Sequence, residues 1–266
     1  NYQDLTATLS TKLADLRRMY PAGVAYANQN LFGSHDTNRI GSYIVNRGLG
    51  NFRDWGKWFQ MSQPVNNPAF QVRRPNAYEL QLQKLFVVLQ MTYVGAPMVY
   101  YGDEVGMWGA NDPDDRKPMI WPDIAYEKER ALPDGKLRHE AQVDEVWQDP
   151  ELRAHYKKLI GIRNAHPALR TGSYKTLLAD DADGVFAYER RLGDEVIWVV
   201  LNNSDAERTV RLPRSGFDEF EDLLNARTYA GQRPVTEFDI PGRQAAVLRA
   251  SVIPLNAAAP EIQARK

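Results

Sequence analysis

The chain has 266 residues, 43% of them apolar, which is enough to bury a sizeable core in one large domain or two. Its 33 Lys and Arg residues nearly balance its 34 Asp and Glu residues, so its net charge does not favour nucleic acid or an anionic membrane as a partner, and no apolar run is long enough to span a bilayer. Cysteine is absent, which excludes disulfides, thiolate metal sites and thiol nucleophiles and leaves the redox compartment open.

The first predicted element is a helix over the opening twenty residues. Its apolar side chains recur at helical spacing on one stripe: Leu5, Leu9, Leu13, Leu16 and Tyr20. Pro21 and Gly23 are predicted to close this helix, and a short strand ending at Gly33 follows it.

Polar side chains follow this strand at once: His35, Asp36 and Arg39. In an α/β barrel the carboxyl ends of the strands are where side chains converge on substrate, so this placement predicts a site. The alternative is a helix cap, in which Ser34 or Asp36 satisfies free N–H groups of a helix over 37–45.

The next elements are a loop, a helix and a strand. The sequence over 48–75 is irregular and too long for a simple connector, which is typical of loops that serve a site. Asn76 and Glu79 have the spacing of a capping box and predict a helix that stops at Gly95 and Pro97. The continuous apolar run 98–101 then predicts a parallel strand buried on both faces.

A second long polar loop is predicted over 102–150, and Asp149, Pro150 and Glu151 open the helix after it. His166 and Pro167 end that helix. Its predicted inward-facing residues are Leu152, Tyr156, Leu159 and Ile162. The alternation of helices and strands up to this point indicates a parallel sheet or barrel.

Beyond Gly172 the pattern changes to short alternating strands separated by turns. The predicted strands are 185–190, 196–201, 210–212, 220–224, 235–240 and 245–248. They predict a small antiparallel β domain. The predicted division is therefore a barrel portion over 1–170, a β domain over 171–254 and a polar tail over 255–266.

Two motifs carry a resemblance to a known family. Residues 95–121 read GAPMVYYGDEVGMWGANDPDDRKPMIW and residues 32–39 read FGSHDTNR. Together they resemble the α-amylase family of glycoside hydrolases, most closely its cyclomaltodextrinase, neopullulanase and maltogenic amylase branch. In that comparison 32–36 is similar to the end of the seventh barrel strand, 100–104 to the end of the eighth, and 159–167 to the closing helix. The implied fold class is α/β: about the last two β/α units of a TIM (β/α)8 barrel, followed by an antiparallel β-sandwich.

The same resemblance implies that two catalytic groups lie elsewhere. The family's nucleophilic Asp and general acid Glu follow strands four and five, and no G-x-R-x-D pattern occurs in this chain. We therefore expect the C-terminal part of a retaining enzyme that cleaves α-1,4 bonds of maltodextrins, cyclodextrins or pullulan. A start at Asn1 agrees with a processed or truncated product. By itself the chain is expected to be inactive, and to need the N-terminal part of the same enzyme or self-association.

The resemblance also implies roles for individual residues. Asp36 would be the third carboxylate, which stabilises the positive charge that develops on the sugar ring, and His35 would donate to the same sugar. A histidine satisfied against backbone is the alternative for His35. Asp112 and Arg116 match positions that hold sugar units further toward the non-reducing end, with a salt-bridged turn as the alternative.

Other candidates carry weaker signals. Arg39 is placed with the substrate-binding residues, with orientation of Asp36 or of a loop as its alternative role. Asp114 and Asp115 are expected to be solvated. Three tryptophans are candidate sugar platforms: Trp55, Trp58 and Trp108.

No cofactor and no metal site are predicted. The sets His139–Glu140 and Asp180, Asp181 and Asp183 lack a recognised ligand spacing, and surface charge explains both. The competing functions are a non-catalytic carbohydrate-binding or structural homologue and an α-glucan transglycosylase, because water and sugar acceptors compete for one intermediate.

Overall fold

The structure is a computed structural model, and it describes residues 6–49, 54–136, 143–213, 216–231 and 235–252. The chain divides into two compact units, Asn1–Ala165 and His166–Lys266. The sequence analysis predicted that the first part ends at residue 170, which is five residues beyond this division.

The first unit contains the helices and two short strands. Its elements in chain order are α1 (Thr6–Arg18), α2 (Ala22–Ala27), β1 (Gln29–Leu31), α3 (Ile40–Val45), α4 (Trp55–Met61), α5 (Ala77–Thr92), β2 (Ala96–Met98) and α6 (Pro150–Ala165). Two 3₁₀ turns lie between β2 and α6, at Asp103–Val105 and Asp114–Arg116. No helix in the described ranges is long and apolar enough to cross a membrane.

The two strands set the position of the loops that matter for function. β1 and β2 pair in parallel, with Gln29 opposite Ala96 and Leu31 opposite Met98. Their carboxyl ends therefore lie side by side, and α5 packs against α3 and α6. The segments that leave these two strand ends carry the candidate site residues.

The elements predicted best are the helices α5 and α6, which have capping residues at their starts. The Asn76 side chain accepts from the Glu79 N–H at 2.9 Å and the Glu79 carboxylate accepts from the Asn76 N–H at 2.9 Å, which confirms the capping box of α5. Asp149 Oδ1 accepts from the Leu152 N–H at 2.8 Å at the start of α6. All four residues predicted to face inward along α6 are buried.

Several predictions for the first unit were wrong in detail. The segment 48–75 is not uniformly irregular, because α4 forms there with Asp54 Oδ1 accepting from the Lys57 N–H at 3.2 Å. A further helix, α2, follows Pro21 where the first helix was predicted to close and a strand to follow. The strand predicted over 98–101 ends at Met98, and it is half-buried instead of buried on both faces, because among the described residues it has β1 as its one strand neighbour.

The second unit begins with the short helix α7 (Pro167–Thr171) and is otherwise antiparallel. Its strands are β3 (Ser173–Asp180), β4 (Val185–Leu192), β5 (Glu195–Asn202), β6 (Arg208–Pro213), β7 (Glu219–Asp222), β8 (Arg227–Ala230), β9 (Val235–Ile240) and β10 (Ala245–Ser251). They form a six-stranded sheet in the order β3-β4-β5-β10-β7-β8 and a pair β6-β9. All six predicted strands are present, and β3 and β8 are additional.

The core of this second unit lies between the two sheets. The Trp198 ring is 4.8 Å from the Phe220 ring, and Phe220 meets Phe238 of β9 edge-on at 5.2 Å. Apolar side chains from both sheets surround these rings. The predicted antiparallel β domain is confirmed, while its predicted tail over 255–266 lies outside the described residues.

Candidate active-site loops

The loop after β1 presents two polar side chains to solvent. Ser34 and Thr37 fold it into a tight turn, in which the Ser34 N–H donates to Thr37 Oγ1 at 3.1 Å and the Asp36 N–H donates to Ser34 Oγ at 3.2 Å. The side chains of His35 and Asp36 are 68% and 62% exposed and lie beside each other, with His35 Nε2 3.3 Å from Asp36 Oδ2. Both groups are therefore accessible to a ligand.

The helix-cap alternative for this loop does not hold. The N-cap residue of α3 is Arg39, and no side chain caps that helix. Ser34 Oγ accepts from the Asp36 N–H within the turn. The Asp36 carboxylate lies beside His35 and Arg116 and not at the start of α3. Asp36 is thus not explained by capping.

A second loop, after β2, brings Asp112 and Arg116 to the same place. Arg116 Nη2 lies 3.0 Å from Asp112 Oδ2 and 3.6 Å from Asp36 Oδ1. Arg116 Nε also donates to the backbone carbonyl of His35 at 2.9 Å. One guanidinium therefore joins the two motifs, although the spacing of Asp112 and Arg116 also fits the predicted salt-bridged turn.

Hydrogen bonds to Ser62 and Gln63 hold the backbone of this second loop. The Asn111 N–H donates to the Ser62 carbonyl at 3.2 Å, and Gln63 Nε2 donates to the Asp112 carbonyl at 3.0 Å. A Cβ on Gly109 would lie 2.7 Å from the Asp114 carbonyl oxygen. The two backbone segments can therefore approach each other this closely only with glycine at position 109. The peptide bond between Asp112 and Pro113 is cis.

Two aspartates expected to be solvated are buried, and that prediction was wrong. Asp114 Oδ2 accepts from the Ala110 N–H at 2.7 Å, and Lys117 lies 3.4 Å from its other oxygen. Asp115 lies in the 3₁₀ turn and is fully buried, and burial raises the pKa of its carboxyl to about 6.

Arg39 lies beneath the loop and not on its surface. Its side chain is fully buried, so it offers no surface to a sugar, and its placement among the substrate-binding residues was wrong. Arg39 Nη1 instead donates to the Tyr101 carbonyl at 2.5 Å and lies 3.1 Å from Asp103 Oδ1. The alternative role, orientation of a loop, agrees with these contacts.

The remaining candidates have different outcomes. Trp108 is 2% exposed and cannot serve as a sugar platform, whereas Trp58 is half-buried and the Trp55 side chain is not among the described residues. His139 and Glu140 lie outside the described residues. Within the described ranges no group of three or more His, Asp or Glu side chains is placed to hold a metal ion.

Comparison with known proteins identifies the family of the chain. The family model described as alpha amylase, catalytic domain matches residues 69–172, and the model described as maltogenic amylase, C-terminal domain matches 174–239. The chain is 31% identical to neopullulanase 2 of Thermoactinomyces vulgaris over 84% of its length, and 29% identical to a cyclomaltodextrinase of Geobacillus thermopakistaniensis over 79%. A solved cyclomaltodextrinase structure superposes with a TM-score of 0.60 at 27% identity, covering 88% of this chain and 32% of that one.

The two family models define the class: a segment of α-amylase catalytic-domain sequence is followed by a segment of maltogenic amylase C-terminal-domain sequence. The chain belongs to the α-amylase family of glycoside hydrolases. It spans 29% of the length of the neopullulanase and 27% of the cyclomaltodextrinase.

Proposed function

We propose that this chain is the C-terminal part of a retaining α-glucan hydrolase that cleaves α-1,4 bonds in maltodextrins, cyclodextrins or pullulan. One observation supports this proposal most strongly: the loops that follow two parallel strands bring four polar side chains into one solvent-accessible group. These side chains are His35, Asp36, Asp112 and Arg116. The names of the similar proteins, neopullulanase and cyclomaltodextrinase, support the choice of substrates.

In this proposal Asp36 acts on the transition state. As the glycosidic bond breaks, positive charge develops on the sugar ring, and a carboxylate that accepts hydrogen bonds from the ring hydroxyls stabilises that charge. His35 donates to the same sugar, and its imidazole lies within 3.3 Å of the Asp36 carboxylate. The nucleophile and the general acid come from residues outside this chain.

Asp112 and Arg116 hold sugar units further from the bond being broken. A carboxylate accepts from sugar hydroxyls and a planar guanidinium donates to them, so the pair can satisfy neighbouring hydroxyls together. Arg116 also contacts Asp36 and the backbone of His35, so the guanidinium that binds the saccharide also orients the catalytic loop.

The proposal is tested with the full-length protein and the 266-residue chain assayed side by side. The full-length protein should release reducing sugar from maltodextrins, cyclodextrins or pullulan with the anomeric configuration retained, as followed by proton NMR. The chain alone should release none, because one carboxylate supplies neither covalent attack nor leaving-group protonation. Steady hydrolysis by the chain alone would contradict this assignment of roles.

The same assay separates the other candidate functions. Saccharide binding without turnover by the full-length protein would favour a non-catalytic homologue. Products longer than the substrate, formed at the expense of hydrolysis, would favour a transglycosylase.

A further inference from the structure

A cluster built around a buried ion pair lies next to the candidate catalytic loop, and we call it the Arg39 cluster: Arg39, Tyr100, Tyr101 and Asp103. Arg39 and Asp103 are buried, Tyr100 is half-buried and Tyr101 is exposed. The Arg39 guanidinium carbon is 4.6 Å from the Tyr100 ring centre and 4.8 Å from the Tyr101 ring centre. Its Nη1 donates to the Tyr101 carbonyl and lies 3.1 Å from Asp103 Oδ1. The ion pair is shielded from water, because the two side chains are 0% and 4% exposed.

This cluster connects the two loops that carry site residues. Arg39 belongs to the loop after β1, and its backbone N–H donates to the Gly109 carbonyl at 3.2 Å, next to the loop of Asp112 and Arg116. Asp103 belongs to the segment after β2. Its Oδ2 lies 2.7 Å from the point where a Cβ on Gly33 would stand, so the carboxylate packs against the backbone two residues before His35.

The cluster is poorly built as a source of stability. Burying two charges removes their hydration, and their mutual attraction repays this only when the remaining donors and acceptors are satisfied. Arg39 Nε and Nη2 are buried without a hydrogen-bond partner among the described residues. A packed apolar residue would be expected to stabilise this position at least as well. What the ion pair supplies is a fixed geometry.

We propose that Arg39 and Asp103 form a positioning pair that fixes the loop over 33–39, and with it Asp36 and His35, for the transition state. This inference rests on the proposed function of Asp36. The pair contacts backbone on either side of the loop and touches no substrate. Its loss would leave the sugar contacts chemically intact but misplaced, and a misplacement of about 1 Å in a catalytic group can cost about a hundredfold in rate.

Burial disfavours the charged form of Asp103 in this pair. Burial raises the pKa of Asp103 to about 7, and Arg39 acts in the opposite direction. Glu104 and Asp115 add to the rise by repulsion. Arg39 is therefore the main group that favours the charged form of this carboxyl.

The test compares three variants of the full-length protein: Arg39→Met, Asp103→Asn and Arg163→Met. Arg163 is the matched control, because it is a buried arginine of the same unit whose Nη2 donates to the Gly95 carbonyl at 2.6 Å, at the amino end of β2. For Arg39→Met we expect kcat on a maltooligosaccharide to fall by about ten- to a hundredfold with KM changed by less than about threefold. Asp103→Asn should show the same pattern to a smaller extent, and Arg163→Met should keep kcat within about threefold.

Amide hydrogen exchange supplies a readout that is independent of activity. Exchange over 34–39 should accelerate in Arg39→Met and Asp103→Asn, while α6 keeps its protection in both. A folded Arg39→Met protein with wild-type kcat and wild-type exchange would overturn the proposal, as would an equal loss of kcat in Arg163→Met. If Arg39→Met does not fold, Asp103→Asn decides on the same two readouts. A wild-type protein without α-glucan hydrolysis would refute the proposed function, and the exchange data would still show whether the pair fixes the loop.

Discussion

Arg116 and Asp112 should respond differently to truncation, although they form one ion pair. Arg116 Nη2 contacts the carboxylates of Asp112 and Asp36, and Arg116 Nε donates to the His35 carbonyl. Arg116→Ala therefore removes support from the catalytic loop as well as from the sugar-binding pair. Asp112→Ala removes a carboxylate whose ion-pair contact is with Arg116.

The size of each effect follows from the contacts. A charge-assisted hydrogen bond to a sugar is worth about 1.5–3 kcal/mol, so either truncation should lower kcat/KM on long substrates by about tenfold to a hundredfold. The side chain of Arg116 is 45% exposed, so its ion pairs are screened, and each contributes about 1 kcal/mol or less. Losing the bond to the His35 carbonyl costs about 1 kcal/mol, which corresponds to a further loss of about fivefold on every substrate.

The assay measures kcat/KM of the full-length protein on maltohexaose and on a short aryl α-glucoside that does not reach the remote sugar units. Asp112→Ala should affect the long substrate alone and shift its product distribution, because a loosened chain slides in register. Arg116→Ala should affect both substrates, the short one by about fivefold. Arg18→Ala serves as the control, since Arg18 is an 80% exposed arginine paired with Asp15 in α1. Equal losses on both substrates for Asp112→Ala would refute the reasoning and favour the salt-bridged turn.

Two further predictions concern the chain itself. His155 is held neutral because burial lowers its pKa from 6.5 to about 4, so the stability it contributes above pH 6.5 is lost as the pH falls, by about 3 kcal/mol at pH 4. His155→Gln should remove that part of the pH dependence of unfolding, and parallel curves for the two proteins would contradict it. In the described residues β1 and β2 pair with each other alone, and Leu16 and Leu31 are 54% and 42% exposed, so we expect the 266-residue chain to self-associate unless the rest of the enzyme is present. A monodisperse, cooperatively unfolding monomer in sedimentation and calorimetry would contradict this.

Local signals in the sequence predicted the elements that have strong ends or a clear period. The capping box of Asn76 and Glu79 fixed the start of α5, and the inward side of α6 followed from helical spacing. Six strands of the second unit were recognisable because apolar residues cluster between turns, whereas β3 and β8 were missed. In contrast, the apolar run 98–101 gave no sign that its pairing stops at Met98, since a strand boundary depends on the neighbouring strand and not on side-chain type.

The candidate site was predictable in its exposed residues and not in its buried ones. The resemblance placed Asp36 at the end of one strand and Asp112 among the residues that hold remote sugar units, and the structure brings both to Arg116. Burial of Arg39 and Asp115 had no local signal, because charged residues are rarely buried and their burial here depends on contacts distant in sequence. The 64 residues that separate Arg39 from Asp103 show why spacing alone could not pair them.

The most direct test of the central claim is Asp36→Asn in the full-length protein, with kcat on a maltooligosaccharide and the melting temperature measured on the same preparation. Asp36 is 62% exposed and does not cap α3, so the amide should leave the melting temperature within about 2 °C of the wild type. Because the carboxylate acts on the transition state, kcat should fall by about a thousandfold or more. An Asp36→Asn protein that keeps most of its turnover, or that loses activity in proportion to unfolding, would contradict the assignment.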